Sequence, residues 1–221
     1  MTADLPFLIL SYVYLFGTLA AAEGLRRWQG YPVDFTRKVV HIAAGMTVWL
    51  LLLFRHLPMA LIPPISFIFI NALSYWKGTF QAMETGERGN LGTVYFPLSF
   101  SILTWLLWNQ RPLLVAALMP MTWGDALAAV VGRRWGRRRF RVPGSTRSLE
   151  GSLTFLAVAW MATAIPLALL PATPFPGWNG LIVALGVAAA TAAVEALSPW
   201  GLDNLTVPAV SALVLWAAHS L

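Results

Sequence analysis

The chain has 221 residues, 58% of them hydrophobic and only 11% charged, with a mean hydropathy of +0.68 and a formal net charge of +6. Soluble domains carry roughly 25% charged residues, so a soluble globular protein is excluded and an all-α integral membrane bundle is expected. The basic balance then reads as a topology signal rather than a nucleic-acid surface, and the absence of cysteine rules out disulfides and thiolate metal sites.

Eight apolar segments follow in chain order, at 5–22, 39–57, 58–76, 93–108, 112–132, 151–170, 180–197 and 206–220. Each is about long enough to cross a hydrocarbon core near 30 Å thick as a helix, the fourth and eighth being short. The first lacks a basic n-region and a small-residue cleavage pattern, and is read as a retained helix. The second and third meet at a soft corner around Arg55-His56-Leu57-Pro58. Pro208 early in the eighth leaves room for a partly re-entrant segment. With the N-terminus outside, the loops at 23–38, 77–92, 133–150 and 198–205 face the cytoplasm and hold thirteen of the fifteen Lys and Arg residues. Only Arg55 and Arg111 remain outside, a bias that fixes orientation. No internal repeat or long linker is visible, so residues 1–221 read as one domain. A homo-oligomer is compatible with this pattern.

The polar residues inside or beside the spans gather at the cytoplasmic side. Asp125 lies in the fifth span, after Pro120 and Gly124, where a broken helix can line a cavity. An acid in lipid is costly and points to function, as a Mg²⁺ ligand or general base; the alternative is a structural pair with an arginine. Just beyond come seven arginines: Arg133, Arg134, Arg137, Arg138, Arg139, Arg141 and Arg147. Arg133, Arg134 and Arg137 are placed to meet phosphates. Arg138, Arg139 and Arg141 are assigned to anionic lipid headgroups. Gly132 and Gly136 form a G-x-x-x-G that either packs helices or frees the arginines to fold over a polyphosphate. The loop around Gly136, Pro143 and Gly144 cannot be one helix.

Ser148 reads as a helix N-cap and Glu150 as an acid favoured at a helix start. The same geometry binds phosphate, with Arg147 adding charge. Lys38 and His41 lie three apart on one helical face, with Arg37 and Lys38 otherwise a basic flank. Glu195 closes the seventh span at the end the helix dipole disfavours, and Asp203-Asn204 open the eighth. The loop at 84–93 and the early Pro97 carry little signal by themselves. No phosphate loop or protein-kinase motif set is present.

These residues together resemble the polyprenol kinase family, which includes phytol kinases, dolichol kinases and CTP-dependent diacylglycerol kinases. The resemblance covers most of the chain and rests on the stretches 37–45, 92–99, 124–136, 147–152 and 195–208; it looks closest to the bacterial phytol kinase-like branch. Where the family has a lysine before its Ser-x-Glu-Gly element, this chain has Arg147. The resemblance implies transfer of the γ-phosphate of CTP to a membrane alcohol, an isoprenoid or diacylglycerol, with Mg²⁺. It assigns catalysis to Asp125, His41 and Glu195, nucleotide binding to Lys38, Arg133, Arg137, Arg147, Ser148 and Glu150, and metal binding to Asp125, Glu150, Asp203 and Asn204. The rival readings are a cytidylyltransferase or CDP-alcohol enzyme, for which no D-G-x-x-A-R motif is found, and a small transporter built on broken helices.

Overall fold

A computed structural model describes residues 2–80, 90–142 and 145–220. A 3₁₀ turn (Thr2–Asp4) leads into α1 (Leu5–Gln29), α2 (Val33–Leu51), α3 (Leu57–Lys77), α4 (Gly92–Leu106) and α5 (Arg111–Met119). A π-helical turn (Pro120–Asp125) joins α5 to α6 (Ala126–Trp135). A two-stranded hairpin, β1 (Arg139–Val142) and β2 (Ser145–Ser148), precedes α7 (Leu149–Leu169), α8 (Trp178–Leu197) and α9 (Asp203–Ser220). The fold is a helical membrane bundle. Five helical units, counting Thr2–Gln29 and Arg111–Trp135 as single rods, are long and apolar enough to cross a membrane; α4 is a shorter apolar helix.

The eight expected segments match eight helical rods, with shifted ends. α2 begins at Val33 rather than 39, because extended Pro32 sets its entry and Asp34 in the first turn suits the helix dipole. Arg37 and Lys38 therefore lie inside the helix instead of flanking it. At its other end Arg111, stacked on Trp108, donates to the carbonyl of Leu52 at 3.0 Å. α3 starts where the Asp4 carboxylate accepts from the backbone N–H groups of Arg55 (3.1 Å) and His56 (2.9 Å), a cap supplied from another part of the chain. α9 is one uninterrupted helix that includes Pro208.

The rod from Arg111 to Trp135 is the axis of the bundle. Residues Pro112 to Met119 are all buried, and α2, α4, α7 and α9 pack around them. Outward faces are apolar: Ile9, Val13 and Phe16 on α1, Phe69 and Leu73 on α3, and Leu153 and Met161 on α7 are exposed. Exposed tryptophans stand at both ends, Trp28, Trp76, Trp135 and Trp200 at one and Trp105, Trp178 and Trp216 at the other. That is the pattern of two interfacial belts. The first belt surrounds the end where the loops after α1 and α8, the hairpin after α6 and the C-terminal end of α3 meet.

Candidate active site

Those loops and helix ends enclose a polar cavity of about 380 Å³. α2 supplies Arg37 and Lys38, the central rod supplies Asp125, the hairpin Arg139 and Arg147, and the α8–α9 region Glu195 and Asp203. The carboxylates of Asp125, Glu195 and Asp203 each place an oxygen within 4.8 Å of the others, and all three residues are buried. Two cations hold this charge in place. Lys38 Nζ donates to Asp125 Oδ2 at 2.6 Å. Arg147 bridges the other two acids, pairing with Glu195 and donating to Asp203 Oδ2 at 3.0 Å and to the Ser198 carbonyl at 3.2 Å. Three carboxylates against two cations leave one negative charge in excess, and hard carboxylate oxygens at this spacing suit Mg²⁺. Arg147 Nε is buried with no acceptor among the described residues, so this guanidinium retains a donor for a further anion.

Local sequence explains the placement. The π turn aims Asp125 inward beside Gly124, where an added Cβ would lie 3.0 Å from the Phe155 ring. His41 Nε2 lies 2.8 Å from the Met121 carbonyl and 3.6 Å from Asp125 Oδ2. A carbonyl only accepts, so Nε2 carries the hydrogen and ties α2 to the π turn. A base role for His41 would fall to Nδ1. Asn204 donates to Asp203 Oδ1 at 3.1 Å and so orients that carboxylate from the next position.

The arginine loop is a hairpin, with Phe140 opposite Arg147 and Arg141 opposite Thr146. Its ladder carries Arg147 into the cavity. Ser148 caps α7 by accepting from Gly151 N at 3.1 Å, as its position predicts. Gly132 and Gly136 form a packing seam: a Cβ on Gly136 would lie 2.6 Å from Ser148 Oγ. Arg133 lines the cavity mouth and pairs with Asp34.

Several expected site residues are not brought together. Glu150 does not line the cavity; its carboxylate accepts from the backbone N–H of Arg138 at 3.3 Å, outside the acid cluster, and Glu195 stands in that cluster instead. Arg137 is exposed and absent from the lining. Arg139, expected among lipid headgroups, lines the cavity. Arg37, Asp34 and Asn90 were missed as lining residues. The early start of α2 brings in the first two, and the N-terminal approach of α4 brings in the third.

The chain is 37% identical to a phytol kinase of Synechocystis over 217 residues, which is 96% of this chain and 91% of that one. It is 27% identical to a CTP-dependent diacylglycerol kinase of Schizosaccharomyces pombe, covering 83% of this chain and 92% of that protein. A 126-residue stretch, 57% of this chain and 22% of the relative, is 29% identical to a dolichol kinase of Saccharomyces cerevisiae. No protein-family model and no solved structure matches. With an alignment that runs nearly end to end, the chain belongs to the polyprenol kinase family, a family of lipid-alcohol kinases.

Proposed function

We propose that this protein transfers the γ-phosphate of CTP to the hydroxyl of a membrane alcohol in the cavity at the cytoplasmic end of the bundle. The carrying observation is the joining, at one end of an apolar bundle, of a three-carboxylate cluster with Lys38, Arg37, Arg133, Arg139 and Arg147. A soluble nucleotide reaches that end from water and an alcohol reaches it from the bilayer. Phosphoryl transfer is mostly positioning and charge stabilisation, and this cavity offers both. The donor is taken as CTP because a relative that aligns with 83% of this chain is named CTP-dependent.

In this reading Asp125, Glu195 and Asp203 would hold Mg²⁺, with Asn204 orienting Asp203. When bound, the ion neutralises phosphate oxygens. Lys38, Arg37, Arg133, Arg139 and Arg147 bind the phosphates, with Ser148 beside them at the start of α7. The alcohol oxygen bonds to the γ-phosphorus, the bridging bond to the β-phosphate oxygen breaks, and CDP leaves. The alcohol proton passes to Asp125, whose carboxylate lies nearest the His41 side of the cavity. Glu150 acts only on the loop, through Arg138.

The test is a membrane lipid extract incubated with purified protein and γ-labelled CTP. Label in an organic-soluble monophosphate, with stoichiometric CDP, supports the reading. Pyrophosphate release instead would identify a cytidylyltransferase, and neither product would point to a transporter.

A further inference from the structure

Two further cavities, of about 60 Å³ each, lie next to the polar site in series, each sharing lining residues with the one before. The nearer shares Arg37 and Asn204 with the polar cavity and reaches His41, Asn71 and Phe96. The farther shares Ala44, Asn71 and Phe96 with the nearer and runs between α1, α2, α3 and α4. Its walls there are Leu15, Pro63, Pro64, Phe67 and Phe100, almost wholly apolar. Polarity thus falls along one line, from arginines and carboxylates, through a histidine and an amide, to hydrocarbon.

Asn71 stands at the change. It is 8% exposed, and it spends its amide N–H on the Thr93 carbonyl at 2.8 Å. Its Oδ1 is buried with no partner among the described residues. An orphaned buried acceptor costs free energy unless a ligand donates to it. Carboxylates and phosphates cannot donate; an alcohol hydroxyl can.

We infer that this slot between α1, α2, α3 and α4 is the binding site for the tail of the alcohol substrate, with Asn71 Oδ1 accepting from its hydroxyl in the bound complex until the O–H turns toward Asp125 for proton transfer. The inference rests on the kinase reading for the identity of the ligand as substrate. The occupant is a single-chain primary alcohol. Its CH₂OH end sits between Asn71 and His41, and its chain leaves past Pro63 and Phe100. The slot, about 60 Å³ as it stands, must widen to admit a chain of substrate length, and one chain asks less of it than the two acyl arms of a diacylglycerol. The helix-interior prolines Pro63, Pro64 and Pro97 line it.

The experiment uses the full chain in nanodiscs with a diazirine-bearing geranylgeraniol. Expected photolabelling falls on the segments of α3 and α4 that carry Phe67 and Phe100. An excess of geranylgeraniol competes it away, and dioleoylglycerol does not. Ala44→Phe, which fills the shared wall, should remove the label and raise KM for the alcohol about tenfold with KM for CTP unchanged. Asn71→Leu should raise the alcohol KM about tenfold through loss of the acceptor. Label confined to outer faces such as that of α7, or an Ala44→Phe enzyme with wild-type alcohol KM, overturns the slot while leaving the kinase reading standing. Labelling as expected in a protein that phosphorylates no alcohol supports the slot and sinks the kinase reading instead.

Discussion

Removing Lys38 separates charge neutralisation from chemistry. Lys38 and Asp125 form a close pair whose side chains are only 16% and 10% exposed. At 2.6 Å the gross attraction is about 6 kcal/mol at an effective dielectric near 20, much of it offset by desolvation. Deleting one partner is a different matter. Lys38→Met leaves Asp125 without its paired cation, with Arg147 the one cation still paired to the cluster among the described residues, and breaking a buried pair this way costs about 3–5 kcal/mol. At roughly 2–4 °C per kcal/mol for a chain of this size, the melting point should fall by about 6–20 °C, read by size-exclusion after heating in detergent without nucleotide. Asp125→Asn removes the charge Lys38 answers. The double variant should therefore recover at least half of the lost stability, a coupling of about 2 kcal/mol or more. Turnover should be lost in Asp125→Asn and stay lost in the double variant, because the cluster then lacks one ligand and the proposed base. A Lys38→Met protein as stable as wild type would refute the electrostatic argument. An active double variant would refute the role given to Asp125.

Arg139→Ala should raise KM for CTP several-fold, whereas Arg138→Ala should leave it near wild type in neutral detergent, since only Arg139 lines the cavity; equal effects would mean that the hairpin acts through diffuse charge. Chelation of divalent cations by EDTA should abolish turnover, and Mg²⁺ should restore it; unaffected turnover would remove the metal from the carboxylate cluster. Gly136→Val should destabilise by about 1–3 kcal/mol through overpacking against Ser148, read as a lower melting point; no loss would mean the α6–hairpin seam is loose. For orientation, Arg141→Cys should resist an impermeant thiol reagent in intact cells while Ser220→Cys reacts, and the reverse pattern would invert the bundle.

Hydropathy made the rods legible, because a bilayer demands long apolar helices whatever their packing. Asp125 was legible for the same reason: a charge at that depth needs a use or a partner, and Lys38 turned out to be its partner. The hairpin was not legible. Its strands are four residues each, and arginine masks the alternation of Phe140 and Val142; Pro143 and Gly144 lie outside the described residues. Glu150 illustrates a further limit. One residue into a helix, its carboxylate could turn toward the cavity or back to the preceding loop, and spacing does not separate the two. The backbone N–H of Arg138 decided it. Glu195 is the converse. Its unfavourable position at a helix C-terminus signalled a role, but the guanidinium that compensates it comes from 48 residues away.

The π turn at Pro120–Asp125 has an evolutionary consequence. Such a turn is equivalent to one residue inserted into an α-helix, and each residue of an α-helix turns its successors by about 100°. Excising a single residue between Pro120 and Gly124 would let the rod close up into regular helix. The rod beyond would keep its phase, because the wide turn absorbs the extra residue without passing it on, and the shift would fall on the turn itself, where Asp125 meets Lys38 and Met121 meets His41. The apolar half of the rod would keep its neighbours. Catalytic alignment in this fold thus depends on chain length within one turn as much as on residue identity. Related sequences should tolerate substitutions in that turn far more readily than a gap.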